Sequence, residues 1–322
     1  MGTMSAFDRI GHAREIRTER VHANGLDFHV NTCGDGERFA LCLHGFPEIG
    51  YTWRHQLPVL ASLGYRVWAP DLRGFGQTDK PRGVKNYAVE HLVDDVAGLI
   101  DASGAKETLL LGHDWGVMLA SQVAFHKVRP LERLVLLNGA AIGMQTDTGF
   151  SFRAMRRVIY ALLFQLPFVP ERALAAGNYR AIRESFTGRM VGRPARITEE
   201  DVRVFADAMA RPGALNGGIN YYRAQIRGGG FRRMMARGFP KIQTPTLIIW
   251  GEDDPVLIPS TIGRAAELID DLTLRFLPGV GHWAQLEASV EVGEMLTSWL
   301  SGQPVPGSTT LSPAAQARAE NA

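Results

Sequence analysis

The sequence predicts an α/β fold: a mainly parallel, eight-stranded sheet with helices on both faces and an all-helical insertion. Three observations predict it. Short apolar runs, each stopped by glycine, proline, asparagine or aspartate, alternate with helical patterns along the chain. After the first hairpin these runs lack the in–out alternation of a half-exposed strand, as expected for strands covered on both faces. Between about residues 141 and 238 the strand pattern disappears.

The elements follow in order. Residues 20–30 carry Asn24-Gly25 between alternating residues, the signature of a β-hairpin. Phe39–Leu43 is a buried run that ends at His44-Gly45. Tyr65–Trp68 ends at Pro70-Asp71, Thr108–Leu111 at Gly112, and Leu134–Leu137 at Asn138-Gly139. Thr246–Trp250 ends at Gly251 and Leu272–Leu277 at Pro278-Gly279. Each is too short for a helix. Helical patterns fill the gaps. Residues 91–103 place Leu92, Val96, Leu99 and Ile100 on one face, residues 117–127 follow the strand at Thr108, and residues 289–300 close the core. The resulting division is a core first part at 1–140, a helical cap or lid at 141–238, a core second part at 239–300, and a flexible tail at 301–322. The tail is rich in Ala, Pro, Ser and Gly.

Composition narrows the function classes. A chain of 322 residues, 45% hydrophobic and 21% charged, is ordinary for a globular protein and excludes disorder, collagen-like repeats and coiled coil. A net charge of +2 argues against a dedicated nucleic-acid binder. Two cysteines, Cys33 and Cys42, cannot build a disulfide framework, and they fit a reducing compartment. The first twenty residues lack an apolar segment and no apolar run is long enough for a membrane span, so a cytoplasmic protein is expected. No His/Cys cluster with ligand spacing and no phosphate-binding loop is present, so neither metal nor organic cofactor is expected. Gly228-Gly229-Gly230 reads as a hinge or turn.

The strongest chemical signal is Gly112-His113-Asp114-Trp115-Gly116 between a buried strand and a helix. That is the pattern of a strained strand-to-helix elbow, which lifts one side chain above the sheet. A serine usually occupies the raised position. Here it is Asp114, an ordinary carboxylate that is already ionised at neutral pH and needs no base to act as a nucleophile. Attack on an sp³ carbon would leave an ester of the protein itself, so a base is still needed to activate water. His282, in Gly281-His282-Trp283 after the last strand, belongs on the same rim. Asp254, in Glu252-Asp253-Asp254 after the preceding strand, is the candidate orienting acid, with Glu252 and Asp253 as rivals. The loop His44-Gly45-Phe46-Pro47-Glu48 and the residue after the nucleophile could supply backbone N–H groups, from Phe46 and Trp115, for an oxyanion hole. A cis peptide before Pro47 is expected from the tight turn, and His44 reads as a structural hydrogen-bonding residue beneath the loop.

These motifs, with Trp53-Arg54-His55-Gln56 and Ala69–Gly76, resemble the α/β-hydrolase superfamily from about Arg20 to Leu300, and specifically its epoxide hydrolases. The order nucleophile, acid, histidine is that of the superfamily. The resemblance implies an α/β-hydrolase fold and two lid tyrosines that donate to the epoxide oxygen. Tyr222, in Asn220-Tyr221-Tyr222-Arg223, and Tyr160, before Phe164-Gln165, match the family's positions; Tyr221 reads as packing. It also implies a substrate slot lined by Phe46, Trp115, Tyr160, Tyr222 and Trp283. The partners expected are a small apolar epoxide and water, in a monomer or homodimer, with no nucleic acid and no membrane span.

Competing readings predict other residues. A haloalkane dehalogenase would place halide donors at an Asn after His44-Gly45 or at a lid Trp. Phe46 follows Gly45, and residues 141–238 contain no Trp. A fluoroacetate dehalogenase would carry Arg where Trp115 stands, and an esterase would carry Ser where Asp114 stands. A non-catalytic member of the fold would have lost a member of the triad. Finally, residues 151–237 hold 16 Arg and no Lys against six acids. Attraction to an anionic membrane or acidic partner is one reading of that charge, and solvated helix faces are the preferred one.

Overall fold

The computed structural model describes residues 15–140, 143–144, 160–188, 190–193, 196–313 and 315–316. Eight strands form one sheet: β1 (Arg17–Ala23), β2 (Leu26–Cys33), β3 (Arg38–Leu43), β4 (Tyr65–Pro70), β5 (Thr108–His113), β6 (Leu131–Leu137), β7 (Thr246–Gly251) and β8 (Leu272–Leu277). Their order is β1-β2-β4-β3-β5-β6-β7-β8. β1 and β2 are antiparallel and close on Asn24 and Gly25, both in the left-handed region, as the Asn-Gly pair predicts. From β4 to β8 every pairing is parallel.

The parallel strands are apolar throughout because both faces are covered. Along β5, Leu110 joins one buried cluster while Leu109 and Leu111 join the other. The core helices are α1 (Gln56–Ser62), α2 (Val89–Ser103), α3 (Trp115–Phe125), α8 (Ala265–Leu268), α9 (Ala284–Glu287) and α10 (Ser289–Leu300). α1 has no counterpart among the sequence expectations. α3 starts two residues earlier than its pattern suggests, because the elbow leads straight into the helix. The strand order reverses direction on either side of β3, so the loops after β3 and β5 lie side by side at the carboxyl edge. This edge positions the site.

Between β6 and β7 the described residues hold helices and no strand: α4 (Val169–Thr187), α5 (Glu199–Ala210), α6 (Ala214–Ile226) and α7 (Gly230–Arg237). α4 bends at residues 176–179, where Gly177, Asn178 and Tyr179 are left-handed. α5 starts in a capping box between Thr198 and Asp201, and Asp201 also accepts from Tyr51 at 2.9 Å and pairs with Arg54 at 2.8 Å. That one carboxylate thus starts an insertion helix and pins it to the core. Residues 141–142 and 145–159 of the expected insertion, and the polar stretch 1–14, lie outside the described residues.

Of the stretch expected as a flexible tail, the described residues 301–313 and 315–316 contact the core. Ser308 bridges to the edge strand, where Phe276 N–H donates to its carbonyl at 2.8 Å, and Arg275 reaches Val305 O at 3.0 Å. Ser312 donates to Glu252 from its amide at 2.8 Å and its hydroxyl at 2.5 Å, and Ala315 is buried. The small residues let the segment lie flat along β8 and cover its open edge, which composition alone could not tell from fraying.

Candidate active site

Asp114 sits at φ 51°, ψ −114°, between β5 and α3. A bulky residue rarely adopts this conformation, and it is held here by close packing. A Cβ on Gly112 would lie 2.5 Å from the carbonyl carbon of Gly116, and one on Gly116 would lie 2.2 Å from Leu43 O. Only glycine fits at either position. Because Leu43 pairs with Gly112, the loop after β3 runs beside the elbow. Phe46 N–H donates to Asp114 Oδ1 at 2.9 Å, and the Trp115 amide also donates to this carboxylate. The Phe46–Pro47 peptide is cis. His44 Nε2 accepts from Leu72 N–H at 2.9 Å, so its proton sits on Nδ1 and points to Gly45 O at 2.7 Å. His44 therefore supports the loop from beneath.

The neighbouring strands β7 and β8 bring the other two groups to the same edge. His282 Nδ1–H donates to Asp254 Oδ2 at 2.8 Å, and His282 Nε2 lies 3.7 Å from Asp114 Oδ2. Of the rivals, Glu252 is occupied by Ser312. Asp254 is fastened by Val256 and Leu257 amides at 2.8 and 2.9 Å and by Asn138 Nδ2 at 2.9 Å.

Burial shapes the charges. It lifts the Asp114 carboxyl above the usual range, against the pull of His282. Burial also opposes the charge of Asp254, but His282 and the hydrogen-bond donors hold its carboxyl below the usual range. Burial alone would lower His282. The Asp254 charge and hydrogen bond, with Asp114 behind them, push it up to about 9 instead.

Tyr222, on α6, lies over this group. The Trp115 indole N–H donates to its hydroxyl, and that hydroxyl bonds Tyr160. Its ring packs edge-to-face with Trp115, Phe164 and Phe46, the centroids 4.8, 5.0 and 5.8 Å away. Burial raises both phenols well above the ordinary tyrosine value, and the Asp114 charge adds to it, so both stay protonated as donors. Tyr221 is fully buried and donates to Arg73 O at 3.0 Å, a packing role. Trp283, expected at the substrate, is placed differently. Its ring has 0% exposure, stacks on Phe186 at 4.6 Å and donates to Ser185 O at 2.9 Å. A ring facing even a water-sized cavity would keep some accessible surface. Trp283 instead fastens α4 to the core.

Four supporting groups went unread in the sequence. Asn138, left-handed at φ 34°, joins Asp254 to Gly251, whose amide it accepts at 2.8 Å. Glu48 and His113, both fully buried, pair at 2.7 Å, and the other His113 nitrogen meets His282 O at 2.9 Å. Glu287 accepts four backbone amides: Gly192 at 2.7 Å, Arg193 at 2.9 Å, Gly281 at 2.9 Å and Trp283 at 3.0 Å. Arg223 donates to Phe164 O at 2.8 Å and Leu166 O at 2.6 Å while pairing with Glu171 at 2.6 Å, which fixes the turn behind Tyr160. Glu48, His113 and Arg223 lie inside the motifs, which gave no role for them, and Glu287 lies only near one.

An elbow aspartate, a histidine, an orienting aspartate and a parallel sheet of this order define the α/β-hydrolase architecture, and the family described as α/β hydrolase fold matches residues 41–289. The AB hydrolase superfamily protein YfhM of Bacillus subtilis is 32% identical over 292 residues, covering 89% of this chain and 99% of the relative. Epoxide hydrolase A of Mycobacterium tuberculosis is 33% identical over 317 residues, covering 88% and 98%. The solved epoxide hydrolase VrEH1 of Vigna radiata superposes with a TM-score of 0.79 at 30% identity, covering 89% of this chain and 99% of that one. The chain belongs to the α/β-hydrolase fold family and, within it, to the epoxide hydrolases. It is a hydrolase.

Proposed function

We propose that this hydrolase adds water to an epoxide, giving a vicinal diol through an ester of Asp114. The observation that carries the reading is the pair of protonated tyrosines, Tyr160 and Tyr222, bonded to each other beside the Asp114–His282–Asp254 group. An opening epoxide leaves an alkoxide, which needs a proton as the C–O bond breaks. Asp114 Oδ2, the oxygen not held by Phe46, attacks a ring carbon; the ring C–O bond breaks, and a tyrosine gives its proton to the departing oxygen. Water then attacks the ester carbonyl, not the alkyl carbon. His282 Nε2 takes the water proton, Asp254 stabilises the imidazolium, and the Phe46 and Trp115 amides hold the oxyanion. Collapse releases the diol and regenerates the carboxylate.

The charges support this order. Before reaction, His282 at about 9 holds its proton beside the Asp114 anion. Esterification removes that anion, so His282 loses part of its hold on the proton when a neutral base is required. The proton can return to the tyrosinate left by ring opening. The cap reading follows from the same geometry: residues 160–237 supply both tyrosines while the core supplies the triad. A dehalogenase is the weaker reading, because the Trp115 indole N–H is already engaged by Tyr222.

His282→Gln tests the proposal. Incubated with an aryl epoxide, the intact protein should gain the mass of one substrate, with the adduct on Asp114, because ester formation outlives the lost base. Absence of any adduct, while Asp114→Asn kept full turnover, would remove the covalent route.

A further inference from the structure

The motif Ala69–Gly76, which ends β4 and begins the loop after it, supplies no group to the reaction, yet it carries half of a buried ion pair. Arg73 Nε and Nη2 each donate to Asp95, on α2, at 2.6 Å, and Asn24 Nδ2 donates to the same carboxylate at 2.7 Å. Arg73 Nη1 donates to Asn86 O at 3.2 Å. Both partners are buried. Taking two charges out of water opposes most of what such a pair gains, so net stability is a poor account of it. What the bidentate fork fixes is geometry: it holds Arg73 in one place against α2. The main chain beyond it is tied as well. Gly74 N–H donates to Asp79 O and Phe75 N–H to Leu72 O, each at 2.9 Å.

This rigid loop is the seat of α6. Tyr221 donates its hydroxyl to Arg73 O at 3.0 Å. One turn earlier the helix carries no side chain, and a Cβ on Gly217 would lie 2.4 Å from Gly74 O. Two contacts one turn apart fix both the height and the rotation of the helix on the loop. Tyr222 follows Tyr221 by about 100° around the helix, so the bearing of one ring sets that of the other. Trp115 lies edge-to-face against both, its ring centroid 5.4 Å from Tyr221 and 4.8 Å from Tyr222. Its indole N–H donates to the Tyr222 hydroxyl. We infer that Arg73 and Asp95 are positioning residues for Tyr222, acting through Tyr221, and that they govern ring opening rather than the water step. Tyr221 is fully buried and acts through its neighbours alone. His282 is held instead by Asp254, by Glu48 through His113, and by Glu287. The inference rests on the epoxide reading for the step it names.

Single turnovers of the full chain with an aryl epoxide test it. Tyr221→Phe removes the hydroxyl and keeps the ring; it should slow ester formation about tenfold and leave ester hydrolysis within about twofold of the parent. Tyr51→Phe is the control. It removes another hydroxyl bond between core and insertion, the 2.9 Å bond to Asp201, and should leave both phases within about twofold. Arg73→Lys keeps the charge but not the fork, and should slow ester formation about as much as Tyr221→Phe does. Combined, the two should slow it no further, because they act along one chain of contacts. Tyr221→Phe, which keeps every charge, decides alone if Arg73→Lys does not fold. The Trp115 indole N–H resonance, read without substrate in isotope-labelled protein and assigned from Trp115→Phe, should move in Tyr221→Phe and Arg73→Lys and stay in Tyr51→Phe. Parental ester formation in Tyr221→Phe, equal slowing of both phases, an unmoved resonance, or effects that multiply in the double variant would each overturn the inference. A parent protein that forms neither ester nor diol would refute the reaction, and the resonance would then decide whether Arg73 and Tyr221 place Tyr222.

Discussion

Glu287 should matter to one half of the reaction far more than to the other. Its Oε2 accepts the amides of Gly192, Arg193 and Gly281, and its Oε1 accepts that of Trp283. Two of these amides flank His282 and two belong to the insertion, and His282 N–H itself donates to Met190 O at 2.9 Å. The side chain is 1% exposed. Glu287→Ala would strand the buried Gly281 and Trp283 amides at about 1–3 kcal/mol each and leave those of Gly192 and Arg193, nearer the surface, to water, a loss large enough to threaten folding. Glu287→Gln is the informative change. One amide oxygen can still serve the three donors at Oε2, but an NH2 then faces the Trp283 N–H, donor against donor. One charge-assisted bond is lost and three become ordinary, partly offset because no charge is left buried. A net loss of about 3 kcal/mol follows, lowering the melting temperature by roughly 5–10 °C.

The functional consequence is separable from that loss. His282 Nε2 stands 3.7 Å from Asp114 Oδ2, close enough that a small shift of its loop misaligns the attacking water. A displacement near 1 Å costs about a hundredfold. Asp114, by contrast, is placed by the elbow and by Phe46, which Glu287 does not touch. Single-turnover kinetics on Glu287→Gln should therefore show ester formation within about threefold of the parent and ester hydrolysis slowed about 30- to 100-fold. Glu287→Asp should recover part of the loss. Equal slowing of both phases, or a variant with parental melting temperature and parental hydrolysis, would refute the reasoning.

Arg223→Lys keeps the charge but cannot span Phe164 O, Leu166 O and Glu171 together, so it should cost about 2 kcal/mol and slow ester formation rather than hydrolysis, read in the same transients. Asn138→Ala removes a donor from Asp254 and frees the Gly251 amide. It should lower stability by about 2–3 kcal/mol in denaturant melts and flatten the pH response of hydrolysis. Ester hydrolysis should accelerate as pH rises through the His282 transition, with a midpoint below about 9 because the esterified Asp114 no longer favours the imidazolium; a midpoint at or above that value would contradict the proposed coupling. Stability should respond the opposite way. His282 binds its proton more tightly folded, at about 9, than unfolded, near 6.5, so its contribution is complete below 6.5 and is lost as pH rises to about 9. His282→Gln should erase that alkaline slope in pH-dependent melts.

Which parts were legible in the sequence follows from what each part depends on. Strands buried on both faces have to be apolar along their whole length, so Thr108–Leu111 and Thr246–Trp250 announced themselves, and the Asn24-Gly25 turn could hardly be anything else. The elbow was equally readable, because the first turn of α3 admits only glycine at 112 and the closeness of β3 only glycine at 116. α1 and the docked tail were not: Ser312 is an unremarkable serine until Glu252 meets it sixty residues away. Choosing Asp254 over Glu252 and Asp253 likewise needed the structure, since three consecutive acids differ only in which one faces His282.

The supporting groups were illegible for a further reason that bears on how the site works. Glu48 and Glu287 lie in separate stretches, yet each fixes the His282 loop from a different side. Glu48 does so through His113 and the His282 carbonyl; Glu287 does so through the amides on both flanks. Both use carboxylates buried against main chain, and nothing in the pattern of apolar residues records main-chain partners. The consequence is that Asp114 and His282 share the Glu48–His113 pair but differ in their tie to the insertion. Glu48 serves both, since it also accepts the Gly45 amide beside Asp114, but only His282 answers, through Glu287, to the insertion at residues 190–193. Whatever moves that insertion loop therefore reaches the water-activating step before it reaches the nucleophile.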